Sequence, residues 1–184
     1  MLIEATDIDV VKTLLPKRHD DRRGYFSETW KKELLESEGI SVEFLQDNES
    51  LSVKTGTLRG LHFQAPPFAQ DKLVRVARGC VLDVAVDLRR GAVTYGRHVA
   101  VELSAETGRQ LFIPRGFAHG FVTLEPNTLV VYKVSAPYAP DHDFGLAFDD
   151  RELGIDWQLP NDALEVSDKD RRHPPLSALP AYFE

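Results

Sequence analysis

The feature that most constrains this chain is a succession of short β-rich runs, separated by turn signals, between residues 43 and 137. Many of these runs alternate polar and apolar residues, which is typical of strands that bury one face. The runs begin at Leu73, Cys80, His98, Gln110, Gly120 and Thr128. Glycines lie in the gaps, where tight turns need them. Six such runs without helical crossovers predict an antiparallel sandwich or jelly roll.

One helix is predicted outside the β-rich region. Ser27 is a candidate N-cap for a helix through residues 29–38, and Gly39 occupies the usual position after a helix end. The C-terminal third is richer in Pro and Asp, and we expect residues 153–157 and some short helical pieces to pack on the barrel. No repeat or linker divides the chain, so residues 1–184 are predicted to form a single all-β domain with a few short peripheral helices.

Composition narrows the possible classes of function. The chain has 184 residues and a net charge of -7, and it lacks the basic face that nucleic-acid binding requires. Its single cysteine, Cys80, excludes an internal disulfide and a cysteine zinc cluster, and it fits a reducing cytosol. No window approaches the roughly 20 apolar residues of a membrane span, and the N-terminus has no signal-peptide pattern. We therefore expect a soluble, cytoplasmic protein without nucleic-acid or membrane partners.

Residues 57–64 place titratable side chains inside an apolar run. In a regular strand, side chains alternate between the two faces, so Arg59 and His62 would point in opposite directions. A β-bulge at Gly60 would reset this register. His62 could still be a core histidine with satisfied hydrogen bonds, and Arg59 an ordinary surface charge.

Four further residues could carry chemistry, although each also has a structural explanation. His119 lies in an aromatic-rich turn and could be plain core, and Tyr132 lies in an aliphatic strand where its hydroxyl needs a partner. Lys72 could be a solvated strand edge, and Asp170 a turn or cap residue. A metal-binding cupin would need converging imidazoles and a carboxylate, but the histidine spacing is poor for this. No metal is predicted.

Taken together, these residues resemble one family closely: the nucleotide-sugar epimerases typified by dTDP-4-dehydrorhamnose 3,5-epimerase. The resemblance runs nearly end to end. It is carried by residues 21–28, 46–50, 58–64, 72–75, 79–87, 113–121, 131–133, 153–157 and 167–170. The resemblance implies a metal-free, cupin-type antiparallel jelly roll, in agreement with the strand pattern.

The resemblance also implies a reaction that needs no cofactor. The C4 ketone of dTDP-4-dehydro-6-deoxyglucose acidifies the protons at C3 and C5, and their epimerisation gives dTDP-4-dehydro-rhamnose in dTDP-L-rhamnose biosynthesis. In the family's pattern His62 is the base and Asp170 accepts a hydrogen bond from its other ring nitrogen. Tyr132 would return a proton from the opposite face, and Lys72 would stabilise the enolate oxygen.

The remaining site residues follow from the same resemblance. Arg59 and Arg23 match arginines that bind the diphosphate, since a guanidinium makes bidentate contacts with phosphate. Contacts with the sugar and phosphate are expected from Gln46, Asn48 and His119, and contacts with thymine from Phe26, Glu28 and Tyr138. Some of these come from a strand exchanged with a second subunit in the family, so a homodimer is implied.

Three alternatives stay open at the level of the sequence. Residues 138–143 and 146–150 depart from the commonest family pattern, which leaves the nucleotide end and the sugar open. A mono-epimerase that inverts only C3 or only C5 would keep the same core residues. A non-catalytic, sugar-binding cupin would be expected to lack the base, the acid or the arginines, all of which are present. A metal-dependent cupin oxygenase or isomerase would require a bound metal.

Overall fold

The computed structural model describes residues 1–184 and consists mainly of strands. Its single α-helix, α1, spans Lys32–Ser37, and four 3-10 helices span Pro140–His142, Asn161–Ala163, Asp170–Arg172 and Leu176–Ala178. The strands are β1 (Leu2–Ala5), β2 (Lys12–Leu15), β3 (Arg18–Asp21), β4 (Gly24–Ser27), β5 (Gln46–Ser52), β6 (Thr57–Gln64), β7 (Lys72–Arg78), β8 (Cys80–Asp87), β9 (His98–Ser104), β10 (Gln110–Ile113), β11 (Phe117–Thr123), β12 (Thr128–Val134), β13 (Asp143–Gly145) and β14 (Glu165–Val166). None of the helices has the length and apolar composition needed to cross a membrane.

The strands form two facing sheets and a separate hairpin. One sheet has the order β1-β2-β10-β7-β12-β5, and the other has the order β13-β6-β11-β8-β9 with β14 added alongside β6. Strands β3 and β4 pair only with each other. All pairings between these strands are antiparallel except that of β14 with β6. The predicted jelly roll is confirmed, while the four strands of the N-terminal segment were not predicted.

The space between the sheets is filled by aliphatic and aromatic side chains. Val74 and Val130 come from the first sheet, and Ala85, Leu103 and Phe121 from the second, and all five are buried in one cluster. These residues recur at every second position of their strands, so the alternation in the sequence sorts them onto the inner faces. A polar residue at one of these alternate positions must also point into the barrel.

The outer face of the second sheet is covered by the C-terminal segment. Leu82 and Val84 of β8 pack in the same cluster as Leu153 and Trp157, and the indole nitrogen of Trp157 donates to the carbonyl of Phe148 at 2.9 Å. Strand β8 is therefore buried on both faces. The prediction that residues 153–157 pack on the barrel is confirmed.

The predicted helix is present but shorter, and its proposed cap is wrong. Ser27 belongs to β4, where it pairs with Arg18 and its hydroxyl donates to the carbonyl of Lys17 at 3.0 Å. The helix begins after Lys31, which offers no side-chain cap. The hairpin takes Ser27 into strand pairing, and this pairing overrides its capping propensity. Gly39 follows the helix with a φ of 76°, as predicted.

Candidate active site

A β-bulge in β6 brings Arg59 and His62 to the same side of the strand. His62 pairs with His119 of β11 whereas Arg59 pairs with Phe121, which shifts the register by one residue between them. Gly60 has a φ of 119°, and an added Cβ would lie 2.6 Å from the Cα of Gly120, so this close approach requires glycine. The alternation of a regular strand is wrong here, and the bulge considered from the sequence is confirmed.

The bulge lies at a cavity of about 510 Å³ whose walls come from both sheets and from the C-terminal segment. Its lining combines cationic, titratable and aromatic side chains, which suits a charged ligand with a flat or cyclic part. Six of the predicted site residues line it: Arg59, His62, Lys72, His119, Tyr132 and Asp170. Residues that lie as many as 111 positions apart in the sequence are thus brought together by the two sheets.

His62 and Asp170 form a hydrogen-bonded pair at the cavity wall. Nε2 of His62 lies 2.7 Å from Oδ1 of Asp170, and the other carboxylate oxygen accepts the backbone N–H of Gly60 at 3.3 Å. Burial raises the pKa of Asp170, but the hydrogen bond and charge of His62, together with the N–H of Gly60, outweigh it, so the pKa lies below its ordinary value. An ionised Asp170 holds the ring proton on Nε2 and leaves Nδ1 free to accept a proton.

A second His–Asp pair has its histidine in the lining of the same cavity and its carboxylate buried behind it. Nε2 of His119 is 3.0 and 3.1 Å from the two carboxylate oxygens of Asp83, which is fully buried. Burial lowers the pKa of His119, Asp83 opposes this shift, and the charges of Lys72 and His62 add to it. The lowered pKa favours a neutral imidazole. Asp83 was not predicted, although a carboxylate in the middle of the largely apolar strand β8 was a signal for it.

Lys72 is buried at the start of β7 and faces the same interior. Burial lowers the pKa of its ammonium group to about 8, against the opposing charges of Asp83 and Asp143. The alternative of a solvated strand edge is wrong, since its side chain is not exposed. An ammonium group with this pKa is still largely protonated at pH 7, and it can both stabilise an oxyanion and donate a proton to it.

Tyr132 is half-buried on the inner face of β12, where it packs against the core between the sheets. Burial raises the pKa of its phenol, the charge of Arg59 opposes the shift, and the charge of Asp143 adds to it. The phenol therefore stays protonated at neutral pH. It is a proton donor rather than a base in this environment.

The guanidinium of Arg59 is tethered at the rim of the cavity. Its Nε donates to the hydroxyl of Ser52 at 3.1 Å, and one terminal nitrogen donates to the carbonyl of Leu51 at 3.2 Å. No carboxylate pairs with it within 4 Å. Its remaining N–H groups and its charge are available to an anionic ligand.

The other six predicted binding residues do not line this cavity in the single chain: Arg23, Phe26, Glu28, Gln46, Asn48 and Tyr138. Arg23 forms an exposed ion pair of 2.6 Å with Asp21, and Phe26 is 68% exposed on the β3–β4 hairpin. On the edge strand β5, the amide of Gln46 donates to that of Asn48 at 2.7 Å. The exposed Tyr138 donates to Asp143 at 3.3 Å. Their roles stay predictions.

Two further residues near the site were not predicted. Lys169 lines the cavity and pairs with Asp143 at 2.6 Å. His173 lies beside the first pair, with Nε2 3.5 Å from Oδ1 of Asp170. Its position three residues after Asp170 was the only signal in the sequence. His62, Asp170 and His173 form the one group whose donor atoms are close enough together to hold a metal ion.

The arrangement suits proton transfer at a carbon next to a carbonyl group. A neutral imidazole with a carboxylate behind it can accept a proton from carbon, and a protonated phenol in the same cavity can return one. A buried ammonium can stabilise the charge that develops on the carbonyl oxygen. Arg59, which has no carboxylate partner, lies at the rim and can bind an anionic group.

Comparisons with known proteins agree with this chemistry. The family model described as dTDP-4-dehydrorhamnose 3,5-epimerase matches residues 5–178. A curated protein of that name from Sinorhizobium fredii is 48% identical over 184 residues, covering 100% of this chain and 94% of the relative. A crystal structure of such an epimerase from Bacillus anthracis, with TDP and PPi bound, has a TM-score of 0.91 at 45% identity and covers 95% of this chain and 98% of its own.

A third relative is a solved structure from Legionella pneumophila. It is a dTDP-6-deoxy-D-glucose-3,5-epimerase in complex with dTDP-4-keto-L-rhamnose, and it has a TM-score of 0.93 at 42% identity. The match covers 98% of this chain and 95% of that structure. With a full-length match in sequence and in fold, this chain belongs to the dTDP-4-dehydrorhamnose 3,5-epimerase family.

Proposed function

We propose that this chain epimerises dTDP-4-dehydro-6-deoxyglucose at C3 and C5 to give dTDP-4-dehydro-rhamnose, in dTDP-L-rhamnose biosynthesis. The observation that carries the proposal is the hydrogen-bonded His62–Asp170 pair in one cavity with Lys72 and Tyr132, in a chain of this family. The Legionella relative holds a 4-keto-rhamnose nucleotide, which is the product of this reaction.

In the proposed mechanism His62 removes the proton at C3 or C5 with Nδ1 and becomes an imidazolium, which Asp170 stabilises through Nε2–H. The electron pair of the C–H bond moves toward C4, and the resulting negative charge on the C4 oxygen is stabilised by the Lys72 ammonium. Tyr132 then donates its phenolic proton to the opposite face of the carbon. The proton lost by His62 and the one regained by Tyr132 exchange with solvent, so the net proton balance is zero.

The reaction proposed here needs no cofactor, because the substrate's own C4 ketone acidifies both carbon acids. The protein adds a base, an acid and a cation, and each is present as a side chain in the cavity. No metal has a role in this scheme, so neither Lewis-acid activation of the ketone nor redox chemistry is required.

The nucleotide end is proposed to bind through the arginines and the aromatic hairpin. Arg59 lines the cavity and its guanidinium has no carboxylate partner, which supports a contact with the diphosphate. The contacts expected from the other substrate-binding residues are Arg23 with diphosphate, Gln46, Asn48 and His119 with sugar and phosphate, and Phe26, Glu28 and Tyr138 with thymine. The printed ligands of the relatives, TDP and dTDP-4-keto-L-rhamnose, support this nucleotide class.

A homodimer with strand exchange would complete the site. Phe26 and Tyr25 are exposed on a hairpin that pairs with neither sheet, although Phe26 is expected to stack on a base. Such a hairpin can supply its aromatic residues to the cavity of a second subunit. The unpaired, buried Cys80 agrees with a reducing cytoplasm as the place of action. The 184 residues would act as one domain in each subunit.

The test is an NMR time course of the purified protein with dTDP-4-dehydro-6-deoxyglucose in D2O. We expect the C3 and C5 proton signals to disappear, and rhamnose to form when a partner reductase is added. Loss of one signal alone would identify a mono-epimerase instead, and loss of neither would contradict the proposal. Activity that a chelator abolishes, together with stoichiometric metal in the purified protein, would contradict the cofactor-independent scheme.

A further inference from the structure

The imidazole of His173 lies beside the His62–Asp170 pair, in a space that is open only because residue 145 is glycine. Gly145 of β13 lies opposite His62 in the strand pairing, and a Cβ at Gly145 would lie 2.3 Å from Nε2 of His173. The His173 ring fills that space. Its centroid is 5.5 Å from that of His62, and the two rings are nearly perpendicular at 81°.

His173 has a polar atom with no use in the proposed reaction. Its Nε2 is buried and has no hydrogen-bond partner, although Oδ1 of Asp170 is 3.5 Å away. The side chain as a whole is only 11% exposed. An unpartnered buried nitrogen is costly and therefore uncommon, and it calls for an explanation. The oxygen that lies nearby is the same carboxylate oxygen that already accepts Nε2–H of His62.

The three donor atoms, two imidazole nitrogens and one carboxylate oxygen, lie within 4.8 Å of one another. This donor set suits Zn²⁺ and similar borderline ions, whereas Mg²⁺ and Ca²⁺ prefer oxygen ligands. We propose that His62, Asp170 and His173 form a binding site for Zn²⁺, and that an ion bound there inhibits the enzyme. The inhibition rests on the proposed function of His62, while the binding does not.

Binding requires a small rearrangement of the pair. Tetrahedral zinc with bonds of about 2.1 Å separates its ligands by about 3.4 Å, so the 2.7 Å between Nε2 of His62 and Oδ1 of Asp170 must widen by about 0.7 Å. The 3.5 Å between His173 and Asp170 already has the needed value. His62 is partly exposed at the cavity and can make this adjustment.

The inhibition follows from the two nitrogens of one imidazole ring. Zinc binds the lone pair of Nε2, so the single proton of the neutral His62 ring must move to Nδ1. Nδ1 is the nitrogen that accepts the substrate proton in the proposed mechanism. With zinc bound it carries a proton and has no lone pair to offer. Asp170, now a zinc ligand, no longer supports the imidazolium.

The second His–Asp pair provides an internal contrast. His119 and Asp83 are bonded in a similar way, but no third imidazole or carboxylate has a donor atom close enough to make a three-ligand group. The site therefore depends on His173. An exposed histidine, His19 on β3, provides a matched control for adventitious binding of zinc to surface imidazoles.

The first measurement is calorimetric titration of the metal-free protein with zinc chloride alone, in a non-chelating buffer. We expect one ion per chain in the wild type and in His19→Ala. In His173→Phe, which keeps a ring in the Gly145 space but offers no donor, the affinity should fall at least about tenfold. Equal affinity in the wild type and His173→Phe would overturn the site. Circular dichroism checks the folding, and His173→Ala replaces the variant if the phenylalanine does not fit.

The second measurement is solvent exchange at C3 and C5 as a function of zinc concentration, with each variant normalised to its own zinc-free rate. The half-inhibiting concentration should rise at least about tenfold in His173→Phe relative to wild type and His19→Ala, magnesium chloride should not inhibit, and a chelator should restore activity. Inhibition that is the same in all three proteins would overturn the inhibitory role. If the protein binds zinc through His173 yet exchanges neither proton, the proposed function fails and the zinc site stands.

Discussion

The two His–Asp pairs in the cavity have the same chemical groups but different surroundings. His62 has a side chain 32% exposed at the cavity, whereas His119 is 8% exposed and its partner Asp83 is not exposed at all. Burial lowers the pKa of His119, and Lys72 and His62 add to that effect. The buried pair is therefore suited to hold a neutral imidazole in a fixed orientation, and the open pair to exchange protons with a substrate.

In the proposed mechanism only one of the two hydrogen-bonded His–Asp pairs supplies the base, so the hydrogen bond alone does not assign that role. The two histidines lie on neighbouring strands, His62 on β6 and His119 on β11, and they are partners in the strand pairing. In each pair the carboxylate comes from a different element of the fold. What separates them is access to the cavity and the charges nearby. Corresponding substitutions in the two pairs should therefore have different effects on catalysis.

The largest effect is expected for His62→Ala. Removal of the proposed base should lower solvent exchange at both C3 and C5 by about 10²- to 10⁴-fold, which is the usual contribution of general acid–base catalysis. NMR in D2O measures both positions in one experiment. His119→Gln, its counterpart in the buried pair, should keep measurable exchange and mainly weaken substrate binding. If His119→Gln abolished exchange while His62→Ala kept near wild-type exchange, the roles of the two pairs would have to be reversed.

Tyr132→Phe should separate proton removal from proton return. The base is intact in this variant, so some loss of the C3 and C5 proton signals in D2O should persist, while formation of the inverted product falls by about 10²-fold. The ratio of exchange to product, measured on the same sample, reports the change. A variant that lost exchange and product to the same extent as His62→Ala would show that Tyr132 is needed for abstraction itself.

Asp170→Asn and Asp83→Asn test the carboxylates of the two pairs. The hydrogen bond from His62 to an ionised Asp170 is charge-assisted, and such bonds contribute about 1.5–3 kcal/mol, so its loss should lower kcat about 10- to 100-fold. Asp83→Asn keeps a hydrogen-bond partner for a neutral His119 and should lower kcat less. Steady-state rates of both variants, with thermal unfolding as the folding control, decide the matter. Equal losses in kcat would remove the distinction between the pairs.

The β-rich architecture could be predicted from the sequence because alternation and turn glycines are local signals. Strands β7 to β12 lie where the runs predicted them. Strands β1 to β4 were not predicted, because their short segments become strands only by pairing with one another or with the distant β10. The helix cap failed for a related reason, since the hairpin takes Ser27 into strand pairing.

The site was predictable as a set of residues more than as a geometry. The cavity joins six of the twelve predicted site residues, but the shared face of Arg59 and His62 depends on a bulge that the sequence allows without requiring. Asp83 could have been found, since a carboxylate inside an apolar strand is a strong signal. His173 could not, because its place beside His62 depends on the space at Gly145, which only the pairing of β13 with β6 creates.

The smallest expected effect is on the pH dependence of kcat/KM, which we attribute to Lys72. It also tests whether Asp83 of the buried pair influences the reaction at the open pair. Its pKa is lowered to about 8 by burial, and the charges of Asp83 and Asp143 oppose that shift. The proposed role needs the protonated ammonium, so kcat/KM should hold up to about pH 7 and fall as the pH rises through 8, by about tenfold between pH 7 and 9.

Asp83→Asn is the decisive control for this alkaline limb, the fall in kcat/KM above pH 7. It removes a negative charge that raises the pKa of Lys72, so the alkaline fall should begin at a lower pH than in the wild type. Asp47→Asn, which removes a surface carboxylate paired with Lys133, should leave the limb in place. An alkaline limb that is unchanged in Asp83→Asn would mean that a group other than Lys72 titrates there, and the buried pair would then have no electrostatic link to the proton chemistry of the open one.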